Sequence, residues 1–363
     1  MIKITDGSLY LYFCYDFSEE IELDKIRTVL GKKTEKFKLY TKSLNPSYMQ
    51  YSVPPLFADF GNLKLQFFDK KADAHLLVKF YNFGVVTLRF KVNFEGNLDK
   101  LLKLSYSTEK ANIFNKEAVE LVKQIKEEIK YALVNPEKKL DQVETYTIFA
   151  VRNFDQDISG VQLQEKYWKT IAKIVKQEKD FISESELKST FDNTLSYYEH
   201  DLLVVDWGGA FVYDKSKDYE VLDVLEFALI QSLELRVYDY HLDNVLEKAY
   251  DDIGTKKTRF FLQYKHMLND LLYIRLEITE VIDKVENSLK LVGEPFLAKV
   301  YSLASKKFYI DTWKSSVRSK LNTLEKIYES LSDQIQNEIM IVLEVTIVLL
   351  FVIDLVVLFW IGI

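Results

Sequence analysis

The residues that could do chemistry are few and widely spaced. Gln231, Glu234, Tyr238 and His241 fall at helical spacing in one run without proline. A carboxyl and an imidazole on one face could form a polar site with general acid–base capacity. The same row suits a solvated face or an interface between layers. Asp201, Asp206 and Asp214 around Trp207, Gly208 and Gly209 are the best acidic cluster. Aspartates gather at turns and strand ends for local reasons, so this cluster carries little weight. His266 and Asp270, at i and i+4, could share a metal or a helix-surface hydrogen bond.

The motifs that usually name a reaction are missing. The four histidines, His75, His200, His241 and His266, are far apart, and no HExxH, CxxC or Glu-x-x-His spacing occurs. None of the 11 glycines forms GxGxxG, GxxxxGK[ST] or GxSxG. No catalytic, cofactor-binding or metal-binding residue is assigned, no cofactor is expected, and the chain is not read as an enzyme. The single cysteine, Cys14, lies in the apolar run LYLYFCYDF and reads as a buried structural thiol.

The elements that would position these residues belong to a folded protein. The chain has 363 residues, 28% charged and 14% aromatic, enough for two or more cores. A formal net charge of -7 gives no global pull toward nucleic acid. The N-terminus has neither signal-peptide nor transit-peptide character.

Residues 339–363 are the most informative stretch. As a helix they would be about 37 Å long, enough to cross a hydrocarbon core of about 30 Å with some tilt. Trp360 falls where an indole suits the headgroup level. The segment reads as a single transmembrane tail anchor, with the bulk of the chain cytoplasmic and a bacterial inner membrane as the expected location. Glu344 and Asp354 lie about 80° apart around that helix. An Asp at the centre of a span costs at least ~2.5 kcal/mol on insertion scales. Both carboxyls are expected to be protonated, hydrogen-bonding to helices of other subunits in a homo-oligomer.

Two heptad-like seams precede the span. Val317, Leu321, Leu324, Tyr328, Leu331 and Ile335 alternate spacings of four and three. So do Tyr264, Leu268, Leu271, Arg275, Ile278, Ile282, Val285 and Leu289, with Arg275 as the one polar seam position. Together they predict an antiparallel coiled-coil hairpin over 255–338. Lys299, Lys306, Lys307, Lys314, Arg318 and Lys320, with Lys256, Lys257 and Arg259, solvate this stalk or meet anionic lipid or RNA.

Residues 1–155 read as an α+β domain with an antiparallel or mixed sheet, a ferredoxin-like plait being one option. Ser8–Phe17 reads as a strand and Glu19–Leu30 as a helix. The runs LKLQFF, AHLLVKFY and GVVTLRFKVNF read as strands, the last two joined by an Asn82–Gly84 turn. Asn112–Leu133 reads as a helix and Glu144–Phe154 as a strand. Residues 156–254 add a helix opened by a Ser183/Glu186 capping box, a β-hairpin over 200–214 and a long helix. Leu222, Leu225, Leu229, Leu233 and Val237 form the apolar stripe of that helix, and Gly254 is its candidate C-cap.

Several short motifs, in order, resemble the required-for-meiotic-nuclear-division family of C-terminally membrane-anchored proteins. They are Gly84-Val85-Val86, the helix around Gln231–Asp239, the unit Glu294–Tyr301, and Leu343-Glu344. The family's strand continues GVVVFW where this chain has Gly84–Phe90 as GVVTLRF, and Asp354 is extra. The resemblance implies an oligomer that supports membrane-protein translation by tethering ribosomes; it implies no catalytic residues. The expected role is thus a homo-oligomeric scaffold or tether recruiting ribosomes or another large protein partner, with membrane lipid as a further partner. Alternatives are a membrane-tethered enzyme with a cleft in the α+β region, or a lipid or proton sensor.

Overall fold

The computed structural model describes residues 2–30, 38–40, 49–50, 53–67, 70–110, 112–137, 142–192, 194–215, 220–254, 272–273, 276, 290–291 and 294–361. The chain divides into two units, Met1–Val237 with Val281–Trp313, and Tyr238–Glu280 with Lys314–Ile363.

The strands of the first unit are β1 (Lys3–Asp16), β2 (Ser18–Ile21), β3 (Lys38–Tyr40), β4 (Met49–Gln50), β5 (Leu56–Phe67), β6 (Lys70–Phe80), β7 (Val85–Asn97), β8 (Leu133–Pro136), β9 (Val143–Phe154), β10 (Asp201–Val205), β11 (Gly209–Asp214) and β12 (Lys290–Leu291). The helices are α1 (Leu23–Leu30), α2 (Leu98–Lys110), α3 (Asn112–Ile129), α4 (Gly160–Lys176), α5 (Glu184–Phe191), α6 (Glu220–Gly254), α7 (Pro295–Lys307) and α8 (Ile310–Ile361). Both α6 and α8 contribute residues to each unit.

Among the described residues the main sheet has eight strands in the order β10-β11-β9-β1-β7-β6-β5-β3. It is mixed: β11 runs parallel to β9, and every other neighbouring pair is antiparallel. Side chains alternate across a strand, so β1, in the middle, has two buried faces. Leu9, Leu11, Phe13 and Tyr15 enter one core with Val122 and Ile125 of α3 and Leu163 and Ile174 of α4. Tyr10, Tyr12 and Cys14 enter the other with α6 and α7. Helices therefore cover both faces, a layered α/β arrangement and not a plait. The first half of α6 is apolar on nearly every side, as a helix buried between sheet and α7 must be. The predicted stripe from Leu222 to Val237 is buried throughout.

Several boundaries move. Residues 18–21 pair with β8 instead of opening a helix, so α1 starts at Leu23. The 112–133 helix ends at Ile129, and Leu133–Pro136 forms β8. The predicted LKLQFF strand begins earlier, at Leu56, and bulges at Gly61. The helix α2 is an element that period and punctuation in the sequence do not predict. The hairpin of β10 and β11 forms where expected but joins the main sheet through β9. The sheet thus runs across residue 155, because parallel pairing of β11 with β9 leaves no local sequence signal.

Ser183 accepts a hydrogen bond from the Glu186 amide, and a reciprocal capping box sits at Ser159 and Gln162. The chain turns between α7 and α8 at Tyr309, whose φ is +56°.

In the second unit, Val317, Leu324 and Tyr328 of α8 are buried and Leu321 is half-buried. Leu242 and Ala249 of α6 are buried too. Polar contacts put the two helices side by side: Ser316 Oγ donates to Asp239 at 2.7 Å, and Lys320 lies 2.9 Å from Asp239 and 2.6 Å from Asp243. The side chains of Leu331 and Ile335 lie outside the described residues, as does the whole second seam with Leu268, Leu271, Arg275, Ile278, Ile282 and Val285.

Candidate functional site

A buried polar cluster lies where α6 crosses β6 and β7. Lys79 of β6 and Thr87 of β7 are direct cross-strand neighbours, and Arg89 follows Thr87 on the same face. From the helix, Asp223 and Glu226 project together at i and i+3. Lys79 Nζ lies 2.6 Å from Glu226 Oε2 and 3.0 Å from Asp223 Oδ1. Thr87 Oγ1 donates to Glu226 Oε1 at 2.7 Å, and Tyr81 Oη donates to the same oxygen at 3.1 Å. Arg89 approaches Asp223 at 3.7 Å. The Lys79 and Glu226 side chains are 4% and 0% exposed. Burial of such a pair is tolerable only because further hydrogen bonds complete the carboxylate. Among the described residues the contacts to Glu226 come from Lys79, Tyr81 and Thr87, so the cluster pins helix to sheet.

Sequence reasoning passed over this cluster. Its signal was present as two lone charges inside apolar runs, Lys79 in AHLLVKFY and Glu226 in LEFALI.

The row on α6 divides. Gln231 and Glu234 are buried in the first unit, whereas Tyr238 and His241 belong to the second, His241 being exposed. Gln231 accepts from Tyr301 Oη of α7. Among the described residues one Glu234 oxygen has no hydrogen-bond partner, and burial, with Asp16 nearby, pushes its carboxyl well above the usual range. The acidic cluster does not converge either. Asp201 accepts from the Tyr197 and Tyr198 amides and shapes the turn before β10. Asp206 sits at the opposite end of the hairpin, about 15 Å along the strand. It lies 2.8 Å from Lys176 and 3.6 Å from Lys307. Burial opposes its charge, yet these lysines hold its carboxyl below the ordinary value. Asp214 is the cross-strand partner of Asp201.

Cys14 is buried, and burial pushes its thiol up, away from thiolate chemistry. His75 lies 3.0 Å from Asp59, and His200 Nδ1 lies 3.1 Å from the Ile158 carbonyl. Among the described residues no three His, Cys, Asp or Glu side chains are grouped to hold a metal. His266 and Asp270 lie outside the described residues.

Asp16, at the end of β1, gives the first core a pH dependence. Burial, then the charge of Glu137, pushes its carboxyl up to about 7. An unfolded Asp titrates near 3.9. The folded state therefore binds the extra proton between these values. The stability this proton gives is complete below about pH 4 and is lost as pH rises through about 7. On going from about pH 5 to about pH 8 the protein should lose about 2 kcal/mol, less than the full linkage value because Asp16 is partly open to solvent. Asp16→Asn should flatten the dependence of thermal midpoint on pH across that window. An unchanged slope would remove Asp16 as its source.

At the far end of α8, Ile339–Trp360 is a 22-residue stretch long and apolar enough to cross a membrane, and none of its apolar window is buried. It measures about 33 Å. Glu344 and Asp354 both lie within it and are exposed.

A mixed sheet covered on both faces by helices, followed by an apolar helix, defines the class. The chain belongs to the family described as "Uncharacterized protein MJ0711, N-terminal domain", which matches residues 6–220. That match takes in the main sheet and the helices of its first face, and stops at the first residue of α6. Among curated proteins, Uncharacterized protein MJ0711 of Methanocaldococcus jannaschii is 25% identical over 246 residues, which cover 67% of this chain and 74% of that one. No solved structure matches the chain.

Proposed function

We propose that the protein is a membrane-anchored scaffold, a folded α/β unit held to a bilayer through α8 and assembled with further copies to recruit a large partner such as a ribosome. The observation that carries this reading is α8 itself. It is one helix of 52 residues, and its first part packs against α6 while its last part exposes a long apolar surface interrupted by Glu344, Thr346 and Asp354. Soluble proteins rarely leave so much apolar surface open to water. The scattering of Asp201, Asp206, Glu234 and His241 gives a cleft-based enzyme no comparable support.

The test is membrane partition. Full-length protein should stay in the membrane pellet after alkaline carbonate extraction. A variant stopped after Gln336 should move almost wholly to the supernatant while remaining folded. Full-length protein released by carbonate would overturn the anchoring. Ribosomal cosedimentation of the extracted full-length protein, compared at low and high salt, tests the partner.

A further inference from the structure

We propose that Glu344 and Asp354 are the contacts by which Ile339–Trp360 pairs, in parallel, with the same helix of a second copy of this chain. The proposal rests on the membrane reading above and names the chemistry of its assembly.

The two carboxyls differ from the other polar group of the segment. Thr346 returns its hydroxyl to the Val342 carbonyl at 2.7 Å, so the helix satisfies it internally. Among the described residues neither Glu344 nor Asp354 has a hydrogen-bond or ion-pair partner, and both are exposed. Hydrocarbon supplies no water to replace one, so the partner must be another polar group at the same depth. Only one helix among the described residues is apolar and long enough to span.

A second copy meets this demand without any new residue. A neutral carboxyl carries one donor and an acceptor oxygen, so two of them satisfy each other. Copies anchored with the same orientation place Glu344 opposite Glu344 and Asp354 opposite Asp354. An antiparallel arrangement would not bring like positions to one depth. On a straight helix the two carboxyls are about 80° apart. The under-winding of a left-handed pair brings them to about 50°, within a single contact face. Ile347 and Phe351 fill that face between them, and Val345 and Leu349 lie on the opposite side.

The test is cross-linking of the full-length protein in intact membranes. Single cysteines are introduced as Ile347→Cys or Phe351→Cys on the proposed face, and as Leu349→Cys or Val345→Cys on the other. Cys14 is buried and can stay. Mild oxidation should give at least about tenfold more disulfide-linked dimer on the proposed face. Adding Glu344→Leu with Asp354→Leu should cut that yield by about tenfold or more. In parallel, the mass of the wild type in mild detergent should be that of a defined oligomer that the double variant weakens. Equal cross-linking on both faces, or a yield and mass that the double variant leaves unchanged, would overturn the pairing while leaving the anchor intact. Cross-links to a different protein in place of a second copy would also overturn it. A protein absent from the membrane pellet would overturn both the anchor and the pairing.

Discussion

Replacing Glu226 with alanine should cost the protein about 3–5 kcal/mol of stability. The substitution leaves the buried Lys79 ammonium with Asp223 as its remaining carboxylate among the described residues, and strips Thr87 and Tyr81 of the oxygen they share. Removing one partner of a buried pair costs far more than the pair contributes, because the remaining charge stays out of water. The double variant Lys79→Met with Glu226→Leu should therefore recover most of the loss. Denaturant titration of the full-length protein in mild detergent, followed by near-ultraviolet dichroism, measures both. A single variant that loses less than about 1 kcal/mol would show that water reaches the cluster and that it does not pin α6 to the sheet.

Gly84→Ala should be nearly as damaging. The residue has φ of +99°, a conformation that side chains rarely adopt. A Cβ there would lie 1.6 Å from the Ser18 carbonyl oxygen, which is backbone and cannot swing aside. The same turn holds two hydrogen bonds, Phe17 N to Gly84 O at 3.0 Å and Gly84 N to Tyr81 O at 3.2 Å. Relief of the clash must pull the start of β2 away from the turn between β6 and β7, and a loss of about 3 kcal/mol or more is expected. Gly61 provides the control. Its φ is +73°, yet a Cβ would meet nothing within 4 Å, so Gly61→Ala should cost only about 1 kcal/mol. Equal losses at the two positions would mean that φ, and not the contact with Ser18, sets the penalty.

Local signals were legible in the sequence and distant ones were not. The strands at 74–80 and 85–94, their turn at Gly84, the 201–214 hairpin and the stripe of α6 all follow from period and punctuation. Residues 18–21 misled because a short amphipathic run cannot show that β8, over a hundred residues later, will claim it as a strand. The two faces of the sheet were hidden for the same reason. The candidate row on α6 was a correct helical alignment, but alignment does not say that Gln231 and Glu234 go inside while His241 stays out. The Lys79–Glu226 pair needed both partners to be seen at once, since each alone reads as a flaw in an apolar pattern. The apolar end of α8 required no partner, and its length and composition were plain from the residues.

The position of β1 has a consequence for the making of the protein. It is the first of the described strands and lies in the middle of the sheet, its Leu9 set opposite Val92 on one side and Phe149 on the other. During synthesis one of its edges waits for β7 and the other for β9, and its second face waits longer, for α6 and α7. An apolar strand that waits this long is one that other chains can capture. The rate at which this protein folds, and its need for a chaperone, should therefore be set less by the membrane segment than by how soon β9 reaches its oldest neighbour.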